Sequence, residues 1–171
     1  RQVNLGRFNL FFPERRDFFN NDSDLFQFGG ISNMAGGNSA STGGSRENAR
    51  PYFSRKLGLA ADGSPVDINY GGRVSGRVGR FNIGALAIKQ DQNAGVDASE
   101  LLITRVSANV LDDSRIGFIY TDGDPTSDLD NSVAGVDFQY INNQLGNGRR
   151  LQSNVFFQQS DTTGLDGDDA S

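Results

Sequence analysis

Ser114-Arg115-Ile116-Gly117-Phe118-Ile119-Tyr120-Thr121-Asp122 and, after the gap 123–132, Val133-Ala134-Gly135-Val136-Asp137-Phe138-Gln139-Tyr140-Ile141-Asn142 decide how this chain is read. In the first stretch Ile116, Phe118 and Tyr120 alternate with Arg115, Gly117 and Thr121. In the second, Ala134, Val136, Phe138 and Tyr140 alternate with Gly135, Asp137 and Gln139. Successive side chains of a strand point to opposite faces, so a period of two predicts strands with one apolar and one polar face.

The same alternation extends both ways. Segment 80–90 sets Phe81, Ile83, Ala85 and Ala87 against Arg80, Asn82 and Gly84, with Leu86 and Ile88 as exceptions. Segment 100–111 sets Leu102, Val106, Ala108 and Val110 against Arg105, Ser107 and Asn109, and 149–160 sets Leu151, Val155 and Phe157 against Gln152, Asn154 and Gln158, with Phe156 out of step. Segments 66–76, 51–59 and 3–12 (the last ending at Pro13) complete the predicted set. Gaps 91–99 and 123–132 are long, whereas 112–113 and 143–148 are short. Strands of about 9–11 residues with tight turns at one rim and longer loops at the other are how a transmembrane β-barrel is written.

The polar face sharpens this reading. A soluble sandwich shows its polar face to water, where Lys and Glu are common. Here that face carries Arg, Asn, Gln, Ser and Gly, and in the whole chain Arg outnumbers Lys 14 to 2. Planar guanidinium groups suit a crowded, hydrogen-bonded interior. The long loops collect Asp62, Asp91, Asp97, Asp122, Asp124, Asp128, Asp130 and Asp161, and the turns Arg77, Arg80, Arg149 and Arg150. Tyr120 falls at the loop rim and Tyr140 at the turn rim, where aromatic girdles sit. The expected fold is therefore all-β: an antiparallel up-and-down transmembrane β-barrel, a segment of a larger barrel with about eight strands in this chain. Residues 1–171 make one partial barrel domain, with 13–30 a short inward plug and the Gly/Ser/Asn-rich 31–50 a flexible loop. Alternation by itself is shared with a soluble β-sandwich, which stays open as the alternative architecture.

Composition removes several functions. Histidine and cysteine are both absent, which excludes imidazole catalysis, thiolate nucleophiles and zinc sites built from either residue. No apolar run reaches the roughly 18 residues of a membrane-spanning helix, a test that strands apolar on one face escape. The net charge is −5, and residues 121–171 alone carry −7. Nucleic acid, which needs a basic surface, is not the expected partner. The chain opens at Arg1 and stops in Gly-Leu-Asp-Gly-Asp-Asp-Ala-Ser, and is expected to be a piece of a longer protein.

Three groups of residues carry chemistry. Glu14, Arg15, Arg16 and Asp17 lie between the aromatic pairs Phe11-Phe12 and Phe18-Phe19. They read either as a gate latched by ion pairs or as a salt-bridge knot anchoring the segment to the wall. Arg55, Arg73, Arg80, Arg105 and Arg115 read either as an electropositive lumen stripe that selects anions or sugars, or as interior packing in Arg–Asp and Arg–Gln networks. Asp122, Asp124, Asp128 and Asp130 could hold Ca²⁺ through carboxylate oxygens, although their spacing departs from the EF-hand loop and solvated turns share this composition. The neighbouring acids Asp112 and Asp113 sit in a tight turn, which does not present the opposed carboxylates of glycoside cleavage. No catalytic set is evident.

Phe11-Phe12-Pro13-Glu14-Arg15-Arg16-Asp17-Phe18-Phe19, Tyr52-Phe53-Ser54-Arg55-Lys56-Leu57-Gly58-Leu59 and Gly71-Gly72-Arg73-Val74-Ser75-Gly76-Arg77-Val78-Gly79-Arg80-Phe81-Asn82-Ile83-Gly84 together resemble an uncharacterised family of bacterial outer-membrane barrels. Its full-length members look like an amino-terminal family-9-type carbohydrate-binding domain followed by a large barrel. The resemblance, spanning residues 1 to 157, implies location in the outer membrane of a Gram-negative bacterium. It further implies lipid and the rest of a parent barrel as neighbours, and transport or surface docking of a carbohydrate or similar nutrient, or an envelope-structural role. It brings no catalytic residues. A soluble glycan-binding sandwich, or part of a carbohydrate-active hydrolase, is the competing expectation.

Overall fold

The computed structural model describes residues 16–30, 51, 52, 54–60, 64–92, 97–125, 127, 129–145 and 149–164, with residue 55 described in its backbone only. Its frame is one six-stranded antiparallel sheet in which every strand pairs with its neighbours in sequence. The strands are β1 (Ile68–Val78), β2 (Phe81–Gln90), β3 (Glu100–Val110), β4 (Ser114–Asp122), β5 (Asn131–Leu145) and β6 (Arg149–Thr162). The sheet is open: β1 and β6 are its two edges and do not pair with each other. Because neighbouring strands run antiparallel, the ends of β2 and β4 and the starts of β3 and β5 lie at one end of the sheet, and the turns 79–80 and 111–113 at the other, as the alternating gaps predict.

The register sorts the alternating residues into two faces. Gly76, Ile83, Val106, Phe118, Val136 and Phe157 are consecutive cross-strand partners, and so are Val78, Phe81, Ala108, Ile116, Phe138 and Val155. These two rows lie on the outer face and stay largely uncovered: Phe118 is 46% exposed, Val136 49% and Phe157 56%. Ala108 is an exception at 8%. The belt spans about 24 Å across five inter-strand spacings.

The other face is covered by the chain itself. A single-turn helix α1 (Asp17–Asn20), a 3-10 turn at Ser23–Phe26 and a second at Ser54–Lys56 lie over it. They bring Phe19, Phe26, Phe28, Tyr52 and Leu57 against Leu86, Ile88, Leu101, Ile103 and Ile119 of the sheet, all buried in one cluster. Leu86 and Ile88, exceptions to the alternation, are thereby explained: they face inward beneath an apolar cap and are 2% exposed. Each such side chain contributes roughly 1.5–3 kcal/mol when fully buried, which makes this cluster the main attachment of cap to sheet. Gly84 and Gly135 make room for it, since a Cβ at either position would press on the ring of Phe26 or Phe28.

Of the expected strands, the described residues hold six. The strand expected at 51–59 is instead the 3-10 turn and a lone antiparallel bridge between Leu59 and Pro65. Its apolar residues meet the cap rather than a neighbouring strand: Tyr52 stacks at 5.5 Å from Phe26, and Leu57 is 3% exposed. The extended piece expected at 25–28 begins inside the 3-10 turn Ser23–Phe26. The strand expected at 3–12 and the loop at 31–50 lie outside the described residues.

Candidate functional site

The inner face divides along its length. Towards the loop end it is apolar and capped. Towards the turn end its rows run Arg77, Asn82, Ser107, Gly117, Asp137 and Phe156, then Asn109, Arg115, Gln139 and Asn154. Between the two halves sits an ion pair. Arg105 Nη2 lies 2.6 Å from Asp137 Oδ1, with the side chains 1% and 7% exposed. The guanidinium reaches from β3 to β5 over Gly117 of β4, where a Cβ would overlap it. Asp137 Oδ2 accepts a hydrogen bond from the Gly29 N–H at 3.1 Å, and the Phe28 ring lies 5.6 Å from the Arg105 guanidinium carbon. Phe156, out of step in the sequence, packs at 5.6 Å from Phe28 in an edge-on contact. The side-chain nitrogens Arg105 Nε and Nη1 and the oxygen Gln158 Oε1 are buried without a hydrogen-bond partner.

Other polar groups fasten the cap. Arg73 on β1 donates to the Phe18 carbonyl at 2.8 Å and to the Asn21 carbonyl, and Ser75 donates to Asp22 Oδ2 at 2.7 Å. Arg16 donates to the carbonyls of Leu57 and Ser54 at 2.7 and 2.8 Å, its guanidinium 4.2 Å from the Phe19 ring centre. Gln90, 2% exposed, accepts from the Gly58 N–H at 2.7 Å and donates to the Pro125 carbonyl at 3.2 Å. Arg77 donates to Asn82 at 2.8 Å. Hydrogen bonds from charged groups are worth about 1.5–3 kcal/mol each, so the cap is fixed by guanidinium–carbonyl contacts as well as by its apolar cluster.

The expected site residues separate accordingly. Arg73, Arg105 and Arg115 share the inner face, with Arg115 half-buried in register with Gln139. Arg80 is not in a strand but exposed in the β1–β2 turn, its carbonyl accepting from the Asn109 N–H at 3.0 Å. Arg16 joins two parts of the cap, while Asp17 is exposed at the start of α1. Glu14, Arg15 and the side chain of Arg55 lie outside the described residues, as does Asp128.

Asp122, Asp124 and Asp130 line an open cleft of about 550 Å³ at the loop rim, together with Asp97 and Glu100. Ser127 donates to Asp124 at 2.7 Å and Tyr120 to Asp122 at 3.4 Å, while Glu100 pairs with Lys89 at 2.9 Å. Among the described residues no three carboxylates converge as a metal site requires.

Sequence reasoning passed over Asp137 as a site residue, and with it Gly29, Phe28 and Gln90. A signal for Asp137 was present. It is the sole carboxylate among the inward positions of the six strands, and a buried guanidinium needs a counter-charge. No family model, curated protein or solved structure matches this chain.

Proposed function

We propose that this sheet is part of the wall of an outer-membrane β-barrel in a Gram-negative bacterium. In this reading β1 to β6 carry lipid on the outer face, and residues 16–30 and 51–60 fill the lumen. The observation that carries the reading is an apolar belt left uncovered on a sheet whose other face already holds its own core and a buried ion pair. Ile83, Val106, Ile116, Phe118, Val136 and Phe157 are on the uncovered side, while Arg105 and Asp137 are enclosed. Water does not favour that distribution; hydrocarbon outside and a hydrogen-bonded interior do. Tyr70 and Tyr120 towards the loop end and Tyr140 towards the turn end also share the outer face, in keeping with aromatic girdles at two interfaces.

The lumen contents bear on size. An eight-stranded barrel has room inside only for its own side chains. Here an inner layer of backbone with Phe19, Phe26 and Tyr52 lies over the sheet, so the closed barrel needs more strands, continued from the free edges of β1 and β6. The role of such a barrel is passage or surface docking of a solute, or envelope structure. A carbohydrate or similar nutrient is the solute that the family resemblance favours.

The test is behaviour in detergent. The full-length protein is expected in the outer-membrane fraction, to need detergent for extraction and to migrate differently on gels before and after boiling. A monodisperse, folded protein in plain buffer would replace the barrel with a sandwich whose second layer covers the same apolar belt.

A further inference from the structure

We propose that the turn end of the inner face is a docking strip for an acidic carbohydrate, with Arg115 taking its anionic group and Asn109, Gln139 and Asn154 its hydroxyls. This names a solute class for the lumen and rests on the barrel reading above for its role, whereas binding is measured separately from it. The four residues are cross-strand partners in a single row over β3, β4, β5 and β6. At about 4.8 Å per strand the row is roughly 14 Å long, enough for more than one sugar ring. Gly30 of the cap packs close to Asn154, where a Cβ would overlap the side-chain amide. All four side chains of the row are nevertheless exposed or half-buried.

The commitments of the other arginines single out Arg115. Arg73 donates to two carbonyls of the cap, Arg77 donates to Asn82, and Arg105 is paired with Asp137. Arg115, among the described residues, makes no hydrogen bond and no ion pair. Its charge is also unbalanced. Asp137 is the sole carboxylate at an inward position of the described strands, and Arg105 takes it. The Arg105 guanidinium lies over Gly117, two residues along β4 from Arg115, so two cations share this stretch of wall with one anion. A guanidinium fork receives a carboxylate or phosphate through two parallel hydrogen bonds, and the fork of Arg115 is free to do so. The neighbours point to a hydroxylated anion. Asn109, Gln139 and Asn154 each carry an amide oxygen that accepts and an amide nitrogen that donates, which matches sugar hydroxyls that both give and take. Phe156, two residues from Asn154 on the same face of β6 and 39% exposed, offers an aromatic surface to the apolar side of a sugar ring.

Calorimetric titration of the full-length protein, in detergent micelles or in buffer if it is soluble there, tests this. The probes are trigalacturonate, the uncharged trisaccharide maltotriose, and inorganic phosphate as an anion without a sugar. Trigalacturonate is expected to bind about tenfold tighter than either of the others, the scale of one charge-assisted hydrogen bond. Arg115→Gln is expected to abolish the preference over maltotriose, while Arg80→Gln, in the exposed turn, leaves it intact. Equal affinity for the two trisaccharides, binding of neither, or a preference that survives Arg115→Gln would overturn the strip. Phosphate binding as tightly as trigalacturonate would overturn the assignment to a carbohydrate. If Arg115→Gln does not assemble, Gln139→Ala decides: both trisaccharides should bind about threefold more weakly, and unchanged affinities would overturn the strip. A protein folded in plain buffer that shows this selectivity would fail the barrel reading and leave the strip standing. A barrel in the outer membrane without the selectivity would do the reverse.

Discussion

Phe118→Arg places a charge at the centre of the outer belt. Phe118 is the middle residue of β4 (Ser114–Asp122), and its cross-strand partners are Val106 and Val136. Four residues of strand lie on either side, about 13 Å each way at the rise of an antiparallel strand. With a tilt of about 40° that becomes roughly 10 Å along the membrane normal, so both strand ends approach the borders of a band about 25 Å tall. In the proposed barrel, position 118 therefore falls near the midplane, where an arginine on the lipid face costs about 2–4 kcal/mol. That is a shift of roughly 30- to 800-fold in the folded-to-unfolded ratio, large against a typical total stability of about 5–15 kcal/mol. The assay is insertion of the full-length protein into lipid vesicles with increasing urea, read by heat-modifiable migration. Leu111→Arg at the turn rim serves as the comparison. The expected order is a severe loss for Phe118→Arg and a small one for Leu111→Arg, which is already 72% exposed. Normal insertion of Phe118→Arg would refute the assignment of this face to lipid.

Two further perturbations probe the inner face. Gly117→Ala drives a methyl group into the Arg105 guanidinium, and since that side chain is 1% exposed it can yield only by leaving Asp137. Breaking a buried pair costs about 3–5 kcal/mol, so the urea midpoint for unfolding in micelles should fall sharply, whereas Gly76→Ala, with open space around it, should barely move it. Gln90→Leu removes the acceptor of the Gly58 N–H and the donor to the Pro125 carbonyl. A loss of about 1–3 kcal/mol is expected for each buried group left unpaired, together with faster proteolysis near Gly58.

How far the chain could be read in advance differs from part to part. The bounds of β2, β3, β4 and β6 lie within a residue or two of the alternating segments, because alternation records a strand's own geometry residue by residue. Residues 51–59 alternate only weakly, and the strand expected there gives way to a 3-10 turn and a bridge. Tyr52 and Leu57 point to Phe26 and the sheet, a destination set by a segment some thirty residues away. Leu86, Ile88 and Phe156 broke the pattern for the same cause: each is paired with the cap rather than with its own strand's periodicity.

The sequence by itself determined where the six strands of the sheet run, which of their residues share a face, and that the polar face is rich in arginine and poor in lysine. These follow from a two-residue period and from side-chain chemistry, both local properties of the chain. Only the tertiary structure decided which arginine is buried, that Asp137 answers Arg105 across Gly117, and that residues 16–30 cap the inner face. Those outcomes depend on the registers of three strands and on contacts between positions more than a hundred residues apart, as with Gly29 and Asp137. No period along the chain encodes such a meeting; it is fixed when the strands pair and the polar groups enclosed between them find partners.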